Sequence, residues 1–542
     1  MASAYTLVKR LRGMRSVLLF LVSLLAGGCS DGSDDPVGPA RPQPANPLVQ
    51  GPVTGGGGDD CCVIDFGPLE VDLREQGYTP GTPFYAGLSI DEANLGYIES
   101  EFFISGDAVS YVATDDLGNE GFWTVQAAES EPYVSRIVVV RPAAAADFNG
   151  TVVVEWFNVS GGLDAAPDWL QLHTELRREG YAWVGVSAQF AGIEGGGPFG
   201  LPLKAVDGER YASLSHPGDS FSYDIFAQAA QAVRRPLGVD PLDGLSVERM
   251  IAVGQSQSAG RLTTFYNAVH PLVDVFDAYL IHSRGDGGAP LSQEPQAVQS
   301  APEPTYIRTD LPEAVIGLQT ETDIFLLNSV AMRQPDADNY RLWEVAGAAH
   351  SDVYTTIKGP VDIGDDPAVA DVISNKDARP PFIQCDLPVN DGPGHWVAKA
   401  AIHALDVWVR TGEAAPAAPW LTLDDAQQAF ALDNLGNVLG GIRTPYVDAP
   451  VAVLSGEGQP PASVFCGLFG TTELFSEAML DMLYPTPETY ISAIDTATDA
   501  AVSAGFLRPA DADLIKRRAR TSNVSATGSV LAFPLQGKTL QF

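Results

Sequence analysis

The chain has 542 residues, of which 45% are hydrophobic and 9% aromatic, so it is long enough and apolar enough to bury a large core. Its formal net charge of -36 excludes nucleic acid as a partner, because the phosphates would be repelled. The same charge favours a well-solvated surface and says nothing about chemistry.

The first segment has the layout of a secretory signal. Basic residues between Lys9 and Arg15 precede the apolar run 16–28, which is too short to span a membrane permanently, and Cys29 follows directly. The ending LAGGC resembles a bacterial lipobox, which predicts a lipoprotein signal peptide over 1–28 and lipidation of Cys29. An ordinary signal with an incidental cysteine is the alternative. We expect an exported lipoprotein at the outer membrane or cell surface, in contact with the membrane through its lipid only.

Residues 29–60 are predicted to form a flexible tether, because they are rich in Pro, Gly and Asp and poor in large apolar side chains. Residues 61–542 show no internal repeat and no second set of fold signals. We therefore predict one catalytic domain with insertions over 61–542, in which a C-terminal extension begins at about residue 413.

Four cysteines remain once Cys29 is set aside, an even number in a chain predicted to enter an oxidising compartment. Cys385 and Cys466 are the preferred disulfide, because their bond would join two parts of the long C-terminal region. The adjacent Cys61 and Cys62 can pair with each other only in strained geometry. Metal binding is the weaker alternative, since no CxxC or HxxxH spacing accompanies these residues, and we predict no metal site.

Alternating apolar strands and amphipathic helices predict an α/β fold. After strand-like stretches such as SRIVVVRP, the β-branched run 150–157 is typical of a strand buried on both faces. A helix that begins near Pro167 and ends at Gly180 follows it, and then comes a strand over 181–188.

A helix capped by Asp219 and ended by Pro236 leads to the next part of the pattern. A short strand over 249–254 then runs directly into an amphipathic helix. The later predicted elements are strands over 273–282, 314–319 and 340–347 and a helix over 397–412.

The segment GQSQSAG, which follows the strand 249–254, predicts a serine nucleophile. A nucleophile elbow places Ser at the apex of a strand-turn-helix, because that geometry exposes the Oγ and aims the next backbone N–H at the developing oxyanion. Ser256 occupies the apex, with Gly254 two residues before it and Ser258, instead of the usual Gly, two residues after it. Ser258 is the rival nucleophile, but it would lie inside the helix. An ordinary strand-helix turn is the alternative interpretation.

In α/β hydrolases the acid follows the nucleophile along the chain and the histidine comes last. Glu321 and Asp323 lie just beyond one predicted strand, and His350 lies just beyond the next. We predict Asp323 as the acid because its TETD setting resembles the GxxD loop of many relatives; Glu321 is the alternative acid. A solvated loop or helix cap is the other interpretation of either carboxylate. His395 competes with His350, but it opens a helix far from a strand end, which indicates a structural or substrate-facing role.

Two backbone N–H groups are predicted to form an oxyanion hole. One belongs to Gln257, directly after the nucleophile. The other should come from the loop FNVSGG, residues 157–162, where glycines let the backbone approach a substrate closely. We predict Val159 as this donor, with Asn158 next. A simple turn is an equally good interpretation of those glycines alone.

Several segments carry a more specific likeness than the elbow. They are VVVEWFNVSGGLD, RYASLSHPGDSFSYDIFAQA, GQSQSAGRL, FDAYLIHSRG, QTETD, AGAAHSD and CDLPVNDGPGHWVAKAAIHALDVWVRTG. These residues resemble the bacterial alpha/beta hydrolase domain family, a group of large, mostly uncharacterised secreted or cytosolic proteins. The resemblance implies an α/β-hydrolase fold, with a mostly parallel central sheet flanked by helices, and a triad of Ser256, an acid in QTETD and His350. It implies no particular substrate.

The predicted activity is hydrolysis of carboxylic esters, small or polymeric, through an acyl-enzyme and without a cofactor. An amidase or peptidase with the same triad is one alternative, and a surface-anchored binding protein without turnover is another. Specificity is expected to lie in insertions such as 195–211 and in the region after 413. Trp420, Phe465 and Phe469 are candidates for a pocket, although packing in the core is the favoured interpretation.

Overall fold

The structure is a computed structural model. It describes residues 43–58, 61–65, 70–75, 77–88, 90, 92–196, 200–380, 383–460 and 464–525. The predicted signal peptide, the lipidation site Cys29 and the first part of the predicted tether lie outside these residues, so those predictions stay predictions.

The strands of the described residues are numbered β1 to β14 in chain order. They are Leu48–Gln50, Val63–Asp65, Glu70–Asp72, Tyr97–Ala113, Val125–Pro142, Thr151–Trp156, Ala182–Val186, Leu237–Gly238, Arg249–Gln255, Ala278–His282, Ala314–Thr320, Tyr340–Val345, Ala452–Ser455 and Thr471–Leu474.

The largest sheet has ten strands in the order β12-β11-β10-β9-β6-β7-β5-β4-β1-β8. Every neighbouring pair from β12 to β7 is parallel, whereas β7 with β5, β5 with β4 and β4 with β1 are antiparallel. The predicted α/β architecture with a mostly parallel sheet is therefore confirmed. All six residues of β6 are buried, as the β-branched run predicts for a strand covered on both faces.

The α-helices of the described residues are numbered α1 to α12 in chain order. They are Pro167–Arg178, Phe190–Ile193, Leu203–Val206, Ser222–Arg234, Gln257–Thr264, Glu321–Phe325, Gly394–Thr411, Pro445–Asp448, Val464–Gly467, Glu477–Leu483, Pro487–Ser503 and Pro509–Thr521.

Helices cover both faces of the sheet, and alternate strand residues divide between the two cores. Val154 belongs to the core that contains α4 and α5, which contribute Phe226 and Leu262. Its neighbour Val153 belongs to the opposite core, where α1 and α7 contribute side chains such as Trp169. This packing fixes the ends of the parallel strands, from which the candidate site is built.

The segment 43–58, predicted as part of the tether, is folded instead. Its strand β1 pairs antiparallel with β4 and parallel with β8, and Val49 is only 1% exposed. The Arg210 guanidinium also donates a hydrogen bond of 2.7 Å to the carbonyl of Gly55. Backbone pairing and one buried valine hold this stretch, although its composition predicts no structure of its own.

Two local predictions differ from the structure. The strand predicted over 273–282 begins only at Ala278. The carboxylate of Asp277 accepts the N–H of Met250, so this N–H does not pair with the backbone of residues before Asp277. Asp219 does not cap α4. It lies in a preceding 3-10 turn, and its carboxylate accepts the N–H of Phe190. The stop predicted at Gly412 is confirmed, because this residue adopts a left-handed conformation with φ 74° directly after α7.

The C-terminal region packs Tyr490 and Leu514 into an apolar cluster that also contains Tyr354 and Trp396. It is tied to α1 by ion pairs such as Arg178 with Asp511. The predicted disulfide between Cys385 and Cys466 is confirmed, with a Cα–Cα distance of 5.5 Å.

The adjacent residues Cys61 and Cys62 are also joined to each other by a disulfide. Within the described ranges, every helix is too short or too polar to cross a membrane.

Candidate active site

Ser256 lies at a sharp turn between β9 and α5. Its backbone has φ 63° and ψ -118°, a region that non-glycine residues rarely occupy and that is typical of strained functional sites. The turn is held by the Ser256 N–H, which donates a 2.9 Å hydrogen bond to the carbonyl of His282. A Cβ at Gly254 would lie 3.1 to 3.2 Å from atoms of Leu262 and Ser258, so the turn is closely packed against α5. These features are those of a nucleophile elbow.

Ser258, the rival nucleophile, is fully buried within α5. Its hydroxyl donates a 2.9 Å hydrogen bond to the carbonyl of Gln255. A buried serine with a satisfied hydroxyl is suited to hold the turn, and this accounts for Ser at a position where the usual motif has Gly. The geometry therefore favours Ser256.

Asp323 and His350 are in direct contact at the ends of neighbouring strands. Asp323 Oδ1 lies 2.7 Å from His350 Nδ1, and both side chains are buried. Asp323 is the third residue of α6, and its Oδ2 accepts the backbone N–H and the hydroxyl of Thr320 at 2.7 and 2.9 Å. This capping box directs the other carboxylate oxygen to the histidine.

Glu321 has a different environment, although it lies two residues away. Its carboxyl oxygens accept the N–H groups of Gly347 and Gly456 at 2.6 and 2.8 Å. Burial raises the pKa of Glu321 to about 8, and these two N–H groups oppose the shift. A buried carboxyl group whose two oxygens each accept an N–H from a different loop is suited to a structural role. The geometry therefore favours Asp323 as the partner of His350.

Ser256 and His350 line the same cavity. The Gln255 side chain donates a 3.0 Å hydrogen bond to the carbonyl of His350, so the elbow and the histidine loop are tied together directly beside the nucleophile. Because His350 Nδ1 faces a carboxylate, Nε2 is the ring nitrogen left to exchange protons with a substrate or a hydroxyl.

The two predicted oxyanion donors belong to the elbow and to the loop 157–162, which is hydrogen-bonded to it. Gln257 is the first residue of α5, where a backbone N–H has no acceptor within its own helix. In the opposite loop, the Asn158 N–H donates to the carbonyl of Ala165 at 2.9 Å, whereas the Val159 N–H has no acceptor among the described residues. The Asn158 side chain donates to the carbonyl of Gln255, which holds this loop against the elbow. Val159 thus remains the better candidate.

A buried polar group beneath the elbow was not predicted from the sequence. His282, whose carbonyl holds Ser256, places its Nδ1 2.8 Å from Asp168 at the start of α1. Glu155 in β6 accepts the N–H groups of Asp168 and Trp169, and burial, followed by the charge on Asp168, raises the pKa of Glu155 well above its ordinary value. The sequence did contain a signal for this group, because Glu155 is a carboxylate inside an otherwise apolar strand, and a buried carboxylate needs hydrogen-bond partners.

His395, the competing histidine, is buried away from this site. Its ring stacks on Tyr354 with centroids 3.6 Å apart, and it does not line the cavity that holds Ser256. This agrees with the structural role that the sequence favoured.

The cavity has a volume of about 1210 Å³. Besides the elbow and His350, its walls come from several parts of the chain. They are residues between 73 and 99, the loop and helix start at 158–170, Leu201, residues between 351 and 360, Ile383 and the segment 465–469. The wall between residues 73 and 99 was not predicted from the sequence, although the aromatic residues Tyr78, Phe84 and Tyr85 were a signal. Phe465 and Phe469 line the cavity, whereas Trp420 does not.

No group of three or more His, Cys, Asp or Glu side chains suited to a metal ion occurs in the part of the chain that the structure describes.

The sheet order, the helices on both faces and the turn at Ser256 define an α/β hydrolase. The family model of the alpha/beta hydrolase domain matches residues 49–517, and the chain belongs to that family. The resemblance stated from the sequence is thereby confirmed.

Among solved structures, the chain is similar to a putative dienelactone hydrolase from Klebsiella pneumoniae, with 16% identity, a TM-score of 0.24 and coverage of 45% of this chain and 85% of that one. It is also similar to the rice cell wall degrading esterase LipA from Xanthomonas oryzae, with 16% identity and a TM-score of 0.20, over 35% of this chain and 43% of LipA. A fungal esterase from Rhizomucor miehei matches at 12% identity and a TM-score of 0.24, over 48% of this chain and 78% of its own. No curated protein matches the sequence.

Proposed function

We propose that this protein is a serine hydrolase that cleaves carboxylic esters through an acyl-enzyme, with Ser256 as nucleophile, His350 as base and Asp323 as the acid that orients it. The observation that carries the proposal is the 2.7 Å contact between Asp323 and His350 beside a strained elbow, where His350 and Ser256 open into one cavity. A single buried aspartate facing one histidine nitrogen is the arrangement that general base catalysis at a serine requires.

In the first half of the reaction, His350 Nε2 takes the hydroxyl proton as Ser256 Oγ bonds to the ester carbonyl carbon. The carbonyl oxygen becomes an oxyanion, which the N–H groups of Gln257 and Val159 stabilise. The bond to the alcohol oxygen then breaks, and His350 returns its proton to that oxygen. Asp323 remains ionised and stabilises the imidazolium while it exists.

In the second half, a water molecule attacks the acyl carbon and gives a proton to His350. The bond to Ser256 Oγ breaks, the serine recovers its proton from His350, and the carboxylic acid leaves. The residues named here supply every proton transfer, so the proposal involves no cofactor.

A fluorophosphonate probe tests the proposal. It should label the native protein and the Ser258→Ala variant and should leave the Ser256→Ala variant unlabelled. Labelling of Ser256→Ala would reject this nucleophile, and an unlabelled native protein with no turnover of short nitrophenyl esters would favour a binding protein on a hydrolase scaffold.

An amidase or peptidase with the same triad predicts a different result. In that case the protein should turn over the nitroanilide of the same acyl group at a measurable rate. We expect turnover of the nitrophenyl ester and none of the nitroanilide.

A further inference from the structure

The cavity at Ser256 is long, and Glu99 lines the end of it that is distant from Ser256. Ser256 follows β9 and Glu99 belongs to β4, and both residues line the same cavity. In the sheet these two strands are separated by β6, β7 and β5. Four inter-strand spacings amount to about 19 Å, so the cavity extends well beyond what a short ester fills.

The walls of this cavity are apolar. Side chains that line it include Tyr78, Phe84, Leu88, Leu170, Phe465 and Phe469. Phe465 is 41% exposed, whereas Phe469 is buried at the same wall. The volume of the cavity, about 1210 Å³, exceeds the range of about 300 to 1,000 Å³ that is typical of small-molecule pockets.

The charges in the cavity have one sign apart from the catalytic histidine. Glu92 and Glu99 are the acidic lining residues, and neither Lys nor Arg occurs among the described lining residues. Arg177 neutralises Glu92 from outside through two hydrogen bonds of 2.9 and 3.0 Å. Glu99 accepts the Tyr85 hydroxyl at 2.7 Å and forms no ion pair with a described cation. The far end is therefore negative.

We infer that the substrate is an elongated, uncharged ester whose apolar chain runs from Ser256 along the cavity toward Glu99. This inference rests on the proposed function and adds the substrate class to it. The apolar walls favour binding of a long hydrocarbon or aryl chain, and Glu99 disfavours a chain that ends in an anionic group.

The chain-length part is tested with purified full-length protein and the nitrophenyl esters of butyric, octanoic and dodecanoic acids, each below its critical micelle concentration. We expect kcat/KM to rise from butyrate to dodecanoate by at least about tenfold, because each added CH₂ contributes to apolar burial. A flat or falling series would overturn the inference while the ester hydrolysis itself confirmed the proposed function. Absence of turnover on all three esters would reject both.

The charge part uses a matched pair of substrates, the nitrophenyl ester of dodecanoic acid and the mono-nitrophenyl ester of dodecanedioic acid, which differ by a terminal carboxylate. Native protein should prefer the neutral ester by about tenfold or more. Glu99→Gln should reduce that ratio severalfold. The control Glu131→Gln removes one exposed negative charge outside the cavity and should leave the ratio as it is. An equal effect of both variants, or of neither, would overturn the role of Glu99.

Discussion

Asp323 and Glu321 are two residues apart, and yet they have different partners. Asp323 faces His350, while Glu321 ties two glycine N–H groups together. Asp323→Asn should keep the geometry but present a donor to His350 Nδ1, which selects the wrong tautomer. We expect kcat to fall by on the order of 10⁴-fold. Steady-state kinetics on a short ester measure this.

Glu321→Gln is the matched control for that substitution, and its kcat should fall far less. If Glu321→Gln were the more damaging variant, the assignment of the triad acid would be reversed.

The raised pKa of Glu321 has a consequence for stability. Its ordinary value is 4.5, and burial raises it to about 8 in the folded protein. Between these values the folded state binds the proton more tightly than the unfolded state, so this group's contribution to stability is complete below pH 4.5 and is lost as the pH rises to about 8. The slope for one proton is roughly 1.4 kcal/mol for each pH unit.

Urea unfolding across this pH range measures that slope. Glu321→Gln should show a flatter profile than the native protein between pH 5 and about 8, because its side chain does not titrate. Parallel profiles for the two proteins would contradict the raised pKa.

At the scale of elements, β5 carries two arginines in contrasting settings. Arg136 is fully buried between Glu101 and Asp164, and it also donates to the carbonyl of Phe84, which lines the cavity. Arg136→Met would leave the buried Asp164 without its cation and Glu101 with Arg210 alone, and it should cost about 3 to 5 kcal/mol of unfolding free energy.

Arg141 supplies the comparison on the same strand. It pairs with Asp243, which is largely exposed, so Arg141→Met should cost less than about 1 kcal/mol. Urea denaturation of both variants measures the two losses of unfolding free energy. Equal losses would show that the buried ion pairs of Arg136 do not hold the cavity wall at Phe84 to the sheet.

The elements that the sequence predicted best are those with strong local patterns. The run around Val153 and the turn at Ser256 both have a residue-by-residue signal, and the structure places a strand and an elbow there. Strand β1 was missed because Val49 is held mainly by backbone pairing with distant strands, which composition does not record. The local sequence also does not show that Glu321 and Asp323 have different partners. One partner of Glu321 is the N–H of Gly456, which lies more than a hundred residues away along the chain.

At the scale of the whole molecule, the binding cavity was the feature least accessible to the sequence. Its walls come from regions as far apart as Tyr78 and Phe469, and nothing in either region indicates the other. Phe465 shows the same limitation. Its type and setting are equally typical of core packing, and only the fold shows that it faces the cavity.

The position of the protein in the cell is a prediction at this scale too. If Cys29 is lipidated, Cys29→Ser should move the protein from the membrane fraction to the soluble fraction and abolish incorporation of labelled palmitate. Esterase activity in each fraction should follow the protein. Retention of Cys29→Ser in washed membranes would contradict anchoring through this residue.

The disulfide between Cys385 and Cys466 joins Ile383 and Phe469 in one apolar cluster on the cavity wall. A fragment that stops at Gly412 would still contain Ser256, Asp323 and His350. It would nevertheless lack Cys466 of this disulfide, the cavity wall at 465–469 and the Gly456 N–H that donates to Glu321. The candidate site is therefore complete only with the last quarter of the chain packed against it, and we expect a fragment built around the three residues to lack the activity of the whole chain.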